Sequence, residues 1–298
     1  MDAEQAPGAG SGREAPDGGT AAVRAYYERN TRRFLRWGRD GGTANLHAAL
    51  WPPGTKRLGQ AMQAANELIA REIEDSPVPV RRVLDLGCGV GASLVYLGWR
   101  LPALVSLTGV TLSPFQVRVA RRFIPPGAEA RLRFAAANFA DLDPGRFACD
   151  FAFAIEAFAH APSAPAFFRA AARLLPPGGR LALIDDVLEE RAATGLDPAA
   201  AALLDTYRRC WRLPALIAEE AIAQAAAAAG MRRVRRQDLT PWLRLGRLRD
   251  RAIALFVRLA GPRLRGTLYG EMLLGGDAKQ RCYRAGLTAY RLLVFEAS

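Results

Sequence analysis

The chain has 298 residues but only two histidines, His47 and His160, so a histidine-rich metal site is excluded. Its four cysteines, Cys88, Cys149, Cys210 and Cys282, lie far apart without C-x-x-C spacing. That pattern argues against zinc, fits a reducing cytoplasm, and leaves no metal centre to expect. No apolar stretch approaches the roughly 20 uncharged residues of a membrane span. Arg258 interrupts Ala252–Ala260, and charges break the other runs. Residues 1–20 are rich in Gly, Ala, Pro and acids without an apolar run, so a disordered tail is expected there and no export signal. Lysine is nearly missing too: Lys56 and Lys279 are the only two among 41 basic residues, the remaining 39 being arginines. The net charge of +12 therefore reflects an arginine-rich composition as much as a designed surface. Basic clusters at Arg232–Arg236 and Arg244–Arg251 could serve a solvated face, an anionic membrane surface or an anionic substrate. No RNA-binding module signature accompanies them, which argues against nucleic acid as partner.

What is present is concentrated in the run Val83-Leu84-Asp85-Leu86-Gly87-Cys88-Gly89-Val90-Gly91. Val83, Leu84 and Leu86 make the short apolar segment of a parallel strand buried on both faces, and the glycines follow where the chain turns into a helix. The spacing is G-x-G-x-G, not the G-x-G-x-x-G of a dinucleotide fingerprint, and Asp85 stands two residues before the first glycine. An acid at that place suits a cationic ligand better than a phosphate.

A β-α rhythm continues from there. Leu104–Val110 is expected as a second strand, followed by a helix with Ser113 at the N-cap, Pro114 at the first position and Gln116 at the capping-box site. Arg131–Ala136, Cys149–Ile155 and Gly179–Asp185 are expected as further strands, with a helix over Ser163–Leu175. Helices are expected over Leu196–Leu213, Ala218–Ala229 and Trp242–Leu259, and the last strands over Arg232–Gln237 and Leu287–Glu296. Alternating strands and helices imply an α/β, doubly wound, mostly parallel sheet with ligands at the carboxyl ends of its strands. Half the residues are hydrophobic, enough for a sizeable core.

The D-L-G-C-G-V-G run resembles the first motif of class I S-adenosylmethionine-dependent methyltransferases. Thr108-Gly109-Val110-Thr111-Leu112-Ser113-Pro114-Phe115-Gln116 resembles the G-[IV]-T-L-S-x-x-Q signature of the branch that holds tocopherol methyltransferases, isoprenyl-diphosphate C-methyltransferases and cyclopropane fatty acid synthases. The resemblance implies a Rossmann-like, seven-stranded, mostly parallel sheet with a helical lid and insertions, and S-adenosyl-L-methionine as cofactor. It further implies cofactor contacts at Asp85, Gly87, Gly89, Gly91, Thr111, the Leu112 backbone, Gln116 and Ile155. Thr111 stands where many class I enzymes carry an acid for the ribose. Asn138 and Phe139 fall where family members meet the adenine, although Asn138 also suits a turn and Gln116 also suits a helix cap.

Ile155-Glu156-Ala157-Phe158-Ala159-His160-Ala161-Pro162 resembles the M-E-S-x-E-H-x-P segment of tocopherol-type enzymes, making Glu156 and His160 the candidates for chemistry. Ala159 replaces the glutamate that cyclopropane synthases use with bicarbonate, which argues against cyclopropanation. For an oxygen nucleophile His160 would serve as base; for an alkene carbon Glu156 would steady a cation before His160 removes a proton. Tyr26-Tyr27-Glu28-Arg29-Asn30-Thr31 resembles the Y-Y-[DE]-x-x-[ST] element that folds over the cofactor, making Tyr27 and Trp37 either lid residues or core. Arg32, Arg33 and Arg36 beside them could meet a diphosphate.

The expected organisation is a tail at 1–20, a helical lid at 21–77 and the methyltransferase domain at 78–298, with insertions near 196–213 and 242–285. Leu255, Phe256, Leu259, Tyr269, Met272 and Leu273 offer either surface for a lipophilic acceptor or core. The expected function is methylation of a carbon or oxygen of a small, lipophilic or anionic metabolite, with peripheral membrane-surface association compatible with the charge. An RNA methyltransferase, favoured only by charge, and a non-catalytic cofactor-binding partner, opposed by the intact glycine run, are the alternatives.

Overall fold

The computed structural model describes residues 23–25, 28, 31 and 43–298. The expected tail, Tyr27, Trp37 and Arg32, Arg33 and Arg36 lie outside the described residues. The architecture is a seven-stranded sheet between helical layers. Its strands are β1 (Arg82–Leu86), β2 (Ser106–Thr111), β3 (Leu132–Ala136), β4 (Phe151–Ile155), β5 (Arg180–Leu188), β6 (Met231–Asp238) and β7 (Thr288–Ala297), in the spatial order β3-β2-β1-β4-β5-β7-β6. The pairs among β1 to β5 are parallel, and β7 inserts antiparallel between β5 and β6. Parallel central strands must be apolar on both sides, and Phe151, Ala152, Phe153 and Ala154 of β4 are accordingly all buried.

The longer helices among the described residues are α1 (Leu58–Glu74), α2 (Ala92–Arg100), α3 (Pro114–Arg121), α4 (Ala164–Ala172), α5 (Pro198–Trp211), α6 (Glu219–Ala228), α7 (Leu248–Ala260) and α8 (Leu268–Arg284). One face of the sheet packs Phe158, Phe167, Phe168 and Ile222 against Phe295. The other packs Leu68, Ile69 and Ile73 of α1 and Leu94 and Leu97 of α2 against Phe151, Phe153 and Ile184. Although it falls inside the segment expected as a lid, α1 thus sits in the same core as the sheet. Asn66 of α1 donates to Asn45 Oδ1 at 3.1 Å, and Asn45 donates to the Met62 carbonyl at 3.1 Å, which pins the chain before α1 onto that helix.

Two expectations need correction. The helix expected over Trp242–Leu259 starts only at Leu248. Leu50 and Leu243 form an antiparallel bridge, Trp51 N–H donates to the Trp242 carbonyl at 2.7 Å, and Gly246 has a positive φ of 74°. Backbone groups committed to pairing cannot also make a helical ladder. The capping box at Ser113 is half formed: Ser113 Oγ accepts from Gln116 N at 3.2 Å, but the Gln116 side chain turns elsewhere. The arginine cluster on β6 is neutralised locally. Arg233 and Arg236 pair with Glu219, Arg235 with Glu72, and Arg232 with Glu296.

Candidate active site

The glycine run forms the turn between β1 and α2 and opens a cavity of about 420 Å³ at the carboxyl ends of the strands. A Cβ on Gly87, whose φ is 117°, would overlap Ala157 Cβ, and one on Gly91, whose φ is 79°, would meet the Phe134 ring at 2.5 Å. Gly91 therefore serves the close packing of the turn, while Gly87 and Gly89 line the cavity. Asp85 also lines it. Its carboxyl is buried, and burial alone pushes its pKa well above the ordinary aspartate value, with no cation beside it among the described residues. An uncompensated carboxyl in an apolar wall is a socket for a cation.

On the neighbouring strand, Thr111 donates to Gln116 Oε1 at 2.6 Å, and Gln116 Nε2 donates to Thr31 Oγ1 at 3.0 Å. This chain of polar groups ties the N-terminal segment to the mouth of the sheet; Val23 and Arg24 of that segment line the cavity with Leu112 and Ile155. Asn138 is placed differently from the adenine contact expected of it. Its Oδ1 accepts from Ala140 N at 3.2 Å, capping a short turn, and it is not among the lining residues. Phe139 does line the cavity, its ring held edge-on by Phe167 at 5.2 Å.

At the other end, β4 delivers Glu156 and the turn Phe158–His160. Glu156 has a φ of 49°, a conformation that costs a non-glycine residue about 1–3 kcal/mol. Its Oε1 accepts from Ala48 N at 2.8 Å and from the Tyr290 hydroxyl at 3.0 Å. Burial opposes its ionisation, but Lys279, the Ala48 N–H, His47 and Tyr290 together hold the carboxyl below the ordinary glutamate value. Glu156 thus latches the crossing segment Ala44–Ala48 over the cavity.

His160 Nδ1 lies 2.9 Å from the Arg212 carbonyl oxygen. A carbonyl only accepts, so Nδ1 carries the proton, and in the neutral ring Nε2 is the bare nitrogen. Burial holds the imidazole pKa below its ordinary value, outweighing the Arg212 carbonyl and Glu156, which favour the charged form. The turn itself is fixed by Asp185, whose Oδ2 accepts from Ala159 N at 3.0 Å. Burial and the adjacent Asp186 push the Asp185 carboxyl up to about 8.

Several residues of this end escaped the sequence reading. His47 lines the cavity with its Nδ1 3.2 Å from the Ala48 carbonyl, and burial depresses its pKa as well. Lys279 of α8 reaches the cavity wall and meets Asp186 at 2.9 Å, while Tyr207 and Tyr283 donate their hydroxyls to the same carboxylate. Burial works against the Lys279 charge, yet Asp186 and Glu156 outweigh it and keep the ammonium protonated. One signal was available: Lys279 is one of two lysines in an arginine-dominated chain. Trp211, Arg249, Asp250, Ile253, Asp277 and Gln280 complete the wall. Leu255, Phe256, Leu259, Tyr269, Met272 and Leu273 are not among the lining residues, and the first four are exposed, so these four form neither acceptor surface nor core.

The sheet order and the glycine turn define a Rossmann-like class I methyltransferase architecture. Residues 83–179 match the methyltransferase-domain family model. An O-methyltransferase of Pyrenophora dematioidea is 28% identical over 202 residues, 67% of this chain and 72% of that protein. The methyltransferase GfsG of Streptomyces halstedii is 33% identical over 168 residues, 55% of this chain and 58% of its own length. The chain thus spans between about half and three quarters of these relatives. Geranyl diphosphate C-methyltransferase of Streptomyces coelicolor A3(2), solved with S-adenosyl-L-homocysteine, superposes with a TM-score of 0.70 at 18% identity, covering 95% of this chain and 99% of that one.

Proposed function

We propose that this protein transfers the methyl group of S-adenosyl-L-methionine to a hydroxyl oxygen of a small, lipophilic acceptor. The observation that carries this reading is that one cavity joins an uncompensated carboxyl, Asp85, to a histidine, His160, whose Nδ1 faces the Arg212 carbonyl so that Nε2 is the basic nitrogen of the neutral ring. The residues present fit the cofactor. Asp85 would take the amino group, the Gly87–Gly89 backbone would admit the methionine portion, Thr111 and Leu112 would flank the ribose, and Phe139 and Ala137 would wall the base. When bound, the cofactor supplies an electrophilic methyl that carries its own leaving group.

The remaining work falls to the chain. The crossing segment Ala44–Ala48, latched by Glu156, limits water at the reacting end, and the cavity wall aligns the acceptor, which is where most of the acceleration of such a displacement arises. His160 Nε2 takes the hydroxyl proton as the oxygen attacks, and its Nδ1–H stays on the Arg212 carbonyl, which spreads the new positive charge. Glu156 Oε1 is already engaged by Ala48 and Tyr290, so Glu156 acts as a positioning group. That engagement favours an oxygen over a carbon acceptor. A reducing, cytoplasmic location belongs to the same reading, supported by four cysteines that are all buried and unpaired.

The test is incubation with methyl-labelled S-adenosyl-L-methionine and an extract of the source organism, with Asp85→Asn and Gly89→Arg as controls. Label should enter the organic-soluble fraction with the native protein, not with Gly89→Arg, and with Asp85→Asn only as the cofactor concentration is raised. Label recovered in RNA would overturn the small-molecule reading, and no transfer despite cofactor binding would favour a non-catalytic role.

A further inference from the structure

α7 has two opposed faces. Asp250, Ile253, Ala254 and Val257 turn inward, with Asp250 and Ile253 reaching the cavity wall. Leu248, Ala252, Leu255 and Leu259 are spaced four, three and four residues apart and so form one stripe on the opposite side. The three leucines of that stripe are 83%, 58% and 74% exposed, with Phe256 beside them at 49%. No residue of this helix is buried. A helix with so open an apolar stripe is unusual on a protein surface unless something covers it.

Charge says what covers it. Arg251 and Arg258, seven residues apart, flank the stripe on one side, and Arg249 lies on the other; all three are exposed. Arg247 at the helix start and Arg263 and Arg265 just beyond its end extend the positive rim. Asp250, the only acid on the helix, sits on the inward face and accepts from the Arg247 backbone at 3.0 Å. A second copy docked through this face would set two arginine rims against each other in a chain of net charge +12. An anionic lipid surface accepts both the leucines and the arginines.

We propose that α7 is an interfacial helix that docks this protein on an anionic lipid surface, with Leu248, Leu255, Phe256 and Leu259 entering the headgroup layer and Arg251 and Arg258 contacting lipid phosphates. Because the same helix supplies cavity wall on its inner face, docking brings the mouth of the cavity to the lipid. This last consequence rests on the lipophilic acceptor proposed above; the docking itself does not.

Flotation of the full chain with phosphatidylcholine vesicles, with and without phosphatidylglycerol, tests the proposal. The native protein should float only with the anionic vesicles and less so as salt rises. Leu255→Glu/Leu259→Glu should abolish flotation, and Arg251→Glu/Arg258→Glu should weaken it by about fivefold or more per arginine. Unchanged binding of S-adenosyl-L-methionine by both variants would show that they remain folded. Absence of flotation of the native protein, or equal flotation of the leucine variant, would overturn the proposal. So would a dimer in solution that the leucine variant breaks, which would assign the stripe to a second copy. Label transfer to a dissolved acceptor without vesicles reads the methyltransferase activity separately, so either claim can fail alone.

Discussion

The two ends of the cavity are built in opposite ways. The cofactor end comes from short contiguous segments, residues 85–93 and 110–116, whose backbone is fixed by parallel strand pairing and tight glycine turns. The acceptor end collects residues from far apart, His47, Glu156, His160, Trp211, Ile253 and Lys279, of which Glu156, His160 and Lys279 are held by side-chain bonds. Among the described residues the first end leaves one carboxyl without a cation beside it, and the second pairs its charged groups with one another around a neutral imidazole. A site that waits for a cation at one end and for a proton at the other divides recognition from chemistry along its length.

Separate substitutions should expose that division. The largest effect belongs to His160→Gln, which should lower turnover by about 10²–10⁴-fold, the usual worth of a positioned base, while leaving cofactor affinity unchanged. Equal losses in both would erase the distinction between the ends. Next is Lys279→Met, which strands Asp186 among Tyr207 and Tyr283 without its cation. Thermal or denaturant unfolding should show a loss of about 3 kcal/mol, the low end for a broken buried pair because the cavity admits water.

Asp85→Asn should weaken cofactor binding by about 10- to 100-fold, the worth of a charge-assisted contact, with little change in turnover at saturating cofactor. The acid–base sign sharpens this. Burial raises the Asp85 pKa in the free protein, and a bound cation would lower it, so binding should release a proton and tighten as pH rises; the asparagine variant should lose that dependence. The smallest effect is on the pH profile. Because burial depresses the His160 pKa, activity should fall only below the ordinary histidine value of about 6.5, and a limb centred above it would contradict a neutral His160 at physiological pH.

The same contrast explains what the sequence made legible. Strands β1 to β5, the glycine turn and the Ser113 cap are local patterns of apolar runs, glycine and capping residues, and each formed within a few residues of where it was expected. Tyr290 meets Glu156 only because β7 folds back between β5 and β6, a long-range event that no local pattern encodes. Tyr290 in an apolar strand reads as core, and Asp186 reads as the end of a strand. The start of α7 was misread for the same reason: the partner of Leu243 is Leu50, nearly two hundred residues away. Leu255 and Leu259 had apolar character but no visible direction, and only the packing of α7 turned them outward.

The most direct measurement is calorimetric titration of S-adenosyl-L-methionine into the native protein, Asp85→Asn and His160→Gln under identical buffer conditions. The account predicts equal affinity for the native and His160→Gln proteins and a loss of about tenfold or more for Asp85→Asn. Native affinity in Asp85→Asn, or an affinity loss in His160→Gln as large as the one at Asp85, would contradict it.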